Sequence, residues 1–428
     1  MSTMVICIII FVLTIILYAT NKLEMGVVGL GGLALLVIFG CLEPDDALSY
    51  FANSNVLMMM SMFVVSTGLS RTSLIDRFSA GITKLTGNSF RRTFLCYIIL
   101  AEILTSFLNS PFVAFSIVLP LVMQMCEDYD VSPSKVMFPV GLVCIACCCI
   151  MPFGAAIQQT GIYNGFLESY GFAADFAPTD FLVGRLPFLV LVPLWSFTMG
   201  YKIAPEKPIV PISLVTVSKS EKKPLNPFSD WAGVLIFFGV VVLFIFGGNL
   251  GIPSWLVCFT GALLTVICGT LTTKEAISAL PINLAAMLVG ALAMAGALTA
   301  TGAGDMIGQA ISVAIGGVEN GYILGAVFFL IPFVLTQFMQ NQAVMNIFVP
   351  ICLLACQAIG AQPKGLIVLI TAGSLTAFMT PMATSSIPPI MGAGGYDIKS
   401  LVKQGWMVSI IFAVIYIVYT MTVMPAFS

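Results

Sequence analysis

Long uncharged stretches dominate this chain, and they limit what it can fold into before any motif is considered. Apolar runs of about 15–20 residues recur from end to end. Only 8% of the 428 residues are charged, against 59% hydrophobic, whereas soluble domains carry about 25% charged residues. A chain this poor in charge cannot cover a water-facing surface, so its solvent is the lipid bilayer. A lipid-spanning barrel would need alternating strands of roughly ten residues; continuous runs of this length read as helix. The expected fold class is an all-α polytopic membrane protein, with segments at about 4–20, 26–42, 54–70, 93–107, 112–126, 136–150 and 182–200. A second set follows at about 231–247, 254–270, 283–299, 321–338, 343–358, 365–379 and 407–424. The first run lacks a basic lead and a small-residue cleavage site, and it is expected to be a retained helix. "CIACCC" (144–149) resembles a ligand cluster, but with no His in the chain these cysteines read as small apolar packers. No cofactor and no nucleic-acid partner is expected.

The two sets match in order. Between them lies a polar linker, residues 202–230, holding five Lys and five Pro. The expected division is therefore a first repeat over 1–201, the linker over 202–230 and a second repeat over 231–428. "LEPDDALSYF" (42–51) parallels "LTTKEAISAL" (271–280), and amphipathic stretches at 73–85 and 304–316 follow the next helices. The segments flanking Asn109 and Asn341 are shorter than the roughly 30 Å hydrocarbon layer requires. They read as a re-entrant helical hairpin in each half, which leaves about five crossings per repeat and inverts the second half. Under that topology fifteen of the seventeen Lys and Arg fall on one side, with Arg185 and Lys364 on the other. The positive-inside bias then puts the linker in the cytoplasm of a cell (inner or plasma) membrane and both termini outside.

The chemistry is expected where helix is interrupted at membrane depth. Irregular backbone there must be buried in protein or line a wet cavity, and paired breaks in inverted repeats mark a transporter's binding site. In "TSFLNSPF" (105–112), Ser110 suits an N-cap and Pro111 the first helical position. In "TQFMQNQA" (336–343), Asn341 can cap the counterpart, beside Gln340 and Gln342. Each tip would offer free N–H groups and the positive end of a helix dipole to an anion. A second pair of breaks, "MPFGAAIQQ" and "TPMATSSIPP", adds Gly154, Thr380, Pro381, Thr384 and Ser385, with Gln158, Gln159 and Thr160 in the first half. Substrate would be held by Asn109, Ser110, Pro111, Gly154, Asn341, Gln342, Thr380, Pro381, Thr384 and Ser385. No Lys or Arg is expected at the midplane, so an anion must be met by helix ends, amides, hydroxyls and bound cations. Glu102, about 15 Å into its segment, is a possible coupling carboxylate for a proton or cation.

This pattern resembles the divalent-anion/sodium symporter family within the ion transporter superfamily, whose members include dicarboxylate and citrate permeases. "QNQAVMNIFVP" (340–350) is similar to the family's second hairpin tip, and "TPMATSSIPPIMGAGGYDIKSLVKQGW" (380–406) to its proline-rich break. "LNSPFVAFSIVLP" (108–120) and "PTDFLVGRLP" (178–187) resemble the first-half pieces. The family's Ser-Asn-Thr tips are here Asn-Ser-Pro and Asn-Gln-Ala. The resemblance implies a homodimer, a static scaffold, and a transport unit that moves as an elevator. It also implies sodium (or proton) coupling, with Na⁺ around Asn109, Ser110, Asn341 and Thr384. The function expected is secondary active import of a small anion, a di- or tricarboxylate first. A cation/proton antiporter, an inorganic-anion permease and a passive anion channel remain open. An enzyme is not expected: His, a paired intramembrane Asp and a Ser-Lys pair are all missing from the runs. Nor does any phosphate-binding loop point to an ATP-driven pump.

Overall fold

The computed structural model describes residues 2–20, 22–74, 89–108, 110–212, 225–246, 252–304, 306–307, 320–337, 340–380, 383–384 and 386–427. Asn109, Pro381 and Ser385 lie outside the described residues, as do most of both amphipathic stretches and the middle of the linker. Every regular element described is helical, and each of the fourteen expected segments contains helix. In the first half these are α1 (Thr3–Thr20), α2 (Met25–Ile38), α3 (Ser54–Arg71), α4 (Phe90–Phe107), α5 (Pro111–Asp128) and α6 (Met137–Ala146). They continue with α7 (Gly154–Ser169), α8 (Pro178–Arg185) and α9 (Phe188–Trp195). The second half holds α10 (Pro227–Phe246), α11 (Ser254–Ile267), α12 (Ile282–Ala300), α13 (Gly321–Leu335) and α14 (Asn341–Ile359). It ends with α15 (Pro363–Leu375), α16 (Ile387–Gly394) and α17 (Ile398–Val423). Among the described residues, five helices, or six if a bent pair counts once, are long and apolar enough to cross a membrane.

Helix α5 has 18 residues and α14 has 19, so both are longer than the sequence suggested and pass the length test for a span. Shortness therefore does not mark them as re-entrant. What does join them to their neighbours is packing: α4 lies on α5 and α13 on α14.

Two groups of helices emerge from the contacts. In one, α2 packs on α12 and α11 on α3, so helices from before and after the linker pair with one another. The α2–α12 contact is close because both surfaces are glycine; a Cβ on Gly290 would come within 2.2 Å of the Gly29 carbonyl. The other group gathers α4, α5, α6 and α9 from the first half and α13, α14, α15 and α17 from the second. Helix α7 joins the groups, touching α3 and α12 on one side and α4 and α14 on the other. The sequence did not anticipate it as a separate helix. Gln158, Gln159 and Thr160 interrupt its apolar character, yet all three are buried.

Arg185 departs most from expectation. The topology read from the sequence puts it with Lys364 on the side opposite the linker, yet its side chain is 0% exposed. The physical cause is Pro187. Proline removes an N–H and clashes with the preceding turn, and α8 and the helix that follows meet at 56°. The bend tucks α8 against α15 and α17 and turns the arginine inward. A basic side chain is thus buried among these helices, next to the break between α6 and α7.

Candidate functional site

A cavity of about 170 Å³ lies where the two halves meet, lined from the first half by Phe63, Pro111, Cys148, Cys149, Ala155, Gln158, Gln159 and Ile162. The second half contributes Leu284, Asn341, Gln342, Met345, Thr371, Leu375 and Thr384. Holding one water takes only about 10–15 Å³, so a small solute fits.

Three helices begin at this cavity. Pro111 is the first residue of α5, Ala155 the second of α7, and Asn341 and Gln342 the first two of α14. None of the three N-termini has a side-chain cap or an acidic residue in its first turn. The first four N–H groups of a helix have no intrahelical partner, and the aligned peptide dipoles make that end positive. Three such ends face one cavity, the kind of arrangement that suits an anion. Two side chains add to it. The Nε2 atoms of Gln158 and Gln159 are buried with no hydrogen-bond partner among the described residues, an arrangement that costs stability unless a ligand accepts from them.

Ser110 occupies the N-cap position and Pro111 the first helical one, as expected, but the Ser110 hydroxyl makes no cap bond. Asn341 differs. Gln340 is the N-cap residue, and Asn341 is the first residue of the helix. Its side chain turns back to tie three elements together. In the amide orientation that satisfies its neighbours, the nitrogen donates to Ala383 O at 2.7 Å, Ser374 O at 3.2 Å and Thr336 Oγ1 at 2.8 Å. Thr336 in turn donates to Ser374 O at 3.0 Å. Thr380 stands outside the cavity lining and donates to the Gln337 carbonyl. Thr384 lines the cavity. Gln342 donates to Asn346 Oδ1 at 3.3 Å.

The break between α6 and α7 is built by the cysteines. Cys149 adopts φ 59° and Gly154 φ 37°; only glycine takes such angles without strain, which accounts for Gly154. All four cysteines of the 144–149 cluster are buried. Their break leaves carbonyls at the end of α6 that no helix satisfies, and Arg185 takes them. Its Nη1 donates to Cys148 O at 3.0 Å and Cys149 O at 3.2 Å, and its Nη2 to Ala146 O at 3.0 Å. The Tyr416 hydroxyl accepts from Nε at 3.3 Å and Nη2 at 3.2 Å.

Glu102 is half-buried on α4 and does not line the cavity. Its carboxylate has no hydrogen-bond partner among the described residues, and it lies within electrostatic reach of Cys147. Gln158 and Gln159 line the cavity from the first-half break where the sequence puts them, whereas Arg185, behind the wall, is the residue the sequence hid. The one available signal was an arginine beside proline and glycine breaks.

Comparison with known proteins agrees with this architecture. The citrate transporter family model matches residues 15–250 and 241–427. An uncharacterized transporter of Haemophilus influenzae is 25% identical over 415 residues, covering 94% of this chain and 87% of that protein. The sodium-dependent dicarboxylate transporter SdcS of Staphylococcus aureus is 21% identical over 458 residues, covering 95% of this chain and 84% of that protein. Among solved structures, the YdaH transporter of Alcanivorax borkumensis superposes with a TM-score of 0.59 at 12% identity. That match covers 100% of this chain and 99% of that one, and it speaks to the fold alone.

Proposed function

This chain belongs to the citrate transporter family, and on that premise we propose that it imports a di- or tricarboxylate by cation-coupled alternating access. It is a membrane transporter and not an enzyme. The observation that carries the substrate class is the convergence of three uncapped helix N-termini and two unpartnered glutamine amides on one cavity. Each is a donor without an acceptor, and a carboxylate supplies acceptors only.

Sodium is the coupling ion we favour, in line with the sodium-dependent relative. The oxygens of Thr336, Ser374 and Ala383, gathered around the Asn341 amide, are hard ligands of the kind a small cation prefers. A cation bound there would offset the charge of the substrate, so each would favour the other's binding. The cross-paired helices would form the scaffold and the α4–α9 and α13–α17 group the moving elevator unit, with the chain as a homodimer. The two halves would be inverted repeats, with α4–α5 and α13–α14 as re-entrant hairpins. The linker would then be cytoplasmic and both termini outside.

Thermal unfolding of the purified protein tests this reading, using succinate, malate, citrate, sulfate and phosphate with Na⁺ or choline. A ligand at about 100 times its Kd adds roughly 2.7 kcal/mol if it binds only the folded state. Stabilisation by a carboxylate that requires Na⁺ is expected. Equal stabilisation in choline removes sodium coupling, and stabilisation by sulfate or phosphate alone removes the carboxylate assignment.

A further inference from the structure

Arg185 is fully buried, and all five of its N–H groups are used: three on the carbonyls of Ala146, Cys148 and Cys149, two on the Tyr416 hydroxyl. Hydrogen bonding is therefore complete, but charge is not. No carboxylate pairs with Arg185 among the described residues; its neighbours are neutral peptide groups and the Tyr416 ring, whose centroid is 5.5 Å from the guanidinium carbon. Glu102, which also bears on Cys147, makes no bond to it. The C-terminal end of α6 offers about half a negative charge at most, so a net positive charge stays inside the protein. A buried uncompensated charge is strongly unfavourable, and its position says what could compensate it. Cys148 and Cys149, whose carbonyls it holds, are themselves walls of the cavity. The charge thus sits one peptide layer behind the space that the helix N-termini and Gln158 and Gln159 surround.

We propose that Arg185 is a positioning residue that sets the charge preference of this site: through the Cys148–Cys149 turn it holds a fixed positive charge behind the cavity, favouring dianions over monoanions. The inference rests on the carboxylate reading above. It separates two jobs. The N–H groups and amides recognise carboxylate oxygens one at a time, whereas the buried charge acts on the ligand's total charge. Coulomb attraction to a fixed charge doubles from a monoanion to a dianion of the same shape. A residue that merely caps α6 gives no such doubling.

The test compares succinate with succinamate, which has the same chain and one charge fewer, on the full-length purified protein in saturating Na⁺. Dissociation constants would be measured by calorimetry for the wild type, Arg185→Gln and Arg185→Lys. Arg185→Gln is expected to weaken succinamate about tenfold and succinate about a hundredfold. Na⁺ alone should bind at least as tightly as before, because a repelling charge has gone. Equal losses for the two ligands, or parallel losses for succinate and Na⁺, would mean a structural cap and overturn the proposal. Arg185→Lys keeps the charge with three donors instead of five, so its unfolding midpoint should fall while succinate affinity stays within about fivefold. If Arg185→Gln does not yield folded protein, this variant decides. A succinate loss of a hundredfold, matched by succinamate, overturns the charge role. If the wild type binds neither ligand but binds sulfate or phosphate, the carboxylate reading fails and this inference with it.

Discussion

Asn341→Ala isolates the junction on which the second half of the site depends. The alanine sits well at the first position of α14, since it is a strong helix former, so the helix itself should not suffer. What disappears is one amide nitrogen and its bonds to Ala383 O, Ser374 O and Thr336 Oγ1. These losses are unequal. Ser374 O keeps the Thr336 hydroxyl at 3.0 Å, and Thr336 keeps that same bond. The Ala383 carbonyl, on a buried residue, is left without this donor, and an unsatisfied buried acceptor costs about 1–3 kcal/mol. The same bond anchors the break before α16 to the start of α14, next to Thr384 in the cavity wall. Freeing it should raise the KM for uptake in proteoliposomes at least about tenfold, or about 1.4 kcal/mol. The unfolding midpoint should drop as well. A variant that transports with wild-type KM would show that the amide does not shape the site. A lowered midpoint with unchanged KM would assign it to folding alone.

Gln158→Leu should act with opposite signs on stability and function: removing a buried unpartnered amide raises the unfolding midpoint, while carboxylate affinity falls, by about tenfold in calorimetry. Gly154→Ala forces a Cβ into left-handed backbone at φ 37°, with an expected cost of about 1–2 kcal/mol in thermal unfolding and slower uptake. Glu102→Gln should leave carboxylate affinity within about twofold, since Glu102 is not in the cavity wall; a larger loss would bring it into the substrate site. Asp397, the N-cap of α17, accepts from Ser400 N at 2.9 Å, and this bond holds its carboxyl below the usual range. Its contribution is therefore complete above about pH 4 and lost as pH falls through the lower folded value. Asp397→Asn should flatten that acid-side part of the midpoint–pH curve.

The helices were legible because their cause is local. An apolar run of the right length makes a helix whichever partners it meets, and Pro111 marks where one starts. The site was legible only in part. Pro111, Asn341, Gln342 and Thr384 lie together at the cavity, as the paired breaks implied. The role of Asn341 was not readable, because its partners Ser374 and Ala383 lie more than thirty residues on. Arg185 was hidden for a related reason. An arginine between Gly184 and Leu186 at the edge of an apolar run looks the same in a loop as in a core, and only the bend at Pro187 decides. Helix α7 was missed because Gly161, Gly165 and its amides erase the apolar pattern that identifies a buried helix.

The unmet groups of the site divide unevenly between the halves, and that division bears on coupling. The first half supplies the donors and the charge: the start of α5, the start of α7, Gln158, Gln159 and Arg185 behind them. The second half supplies most of the oxygens: Thr336, Ser374 and Ala383 around Asn341, with the start of α14 as its own contribution to the anion. An anion alone would complete the first set and leave the second with its oxygens turned on a single amide. A cation alone would be repelled by Arg185 across the break. On the proposed reading, only the two together would satisfy both halves, so binding of each would lower the cost of the other, and linkage would make that coupling reciprocal. The measurable consequence is that succinate should tighten Na⁺ binding by the same factor by which Na⁺ tightens succinate. Independent binding of the two would separate the halves into unrelated sites.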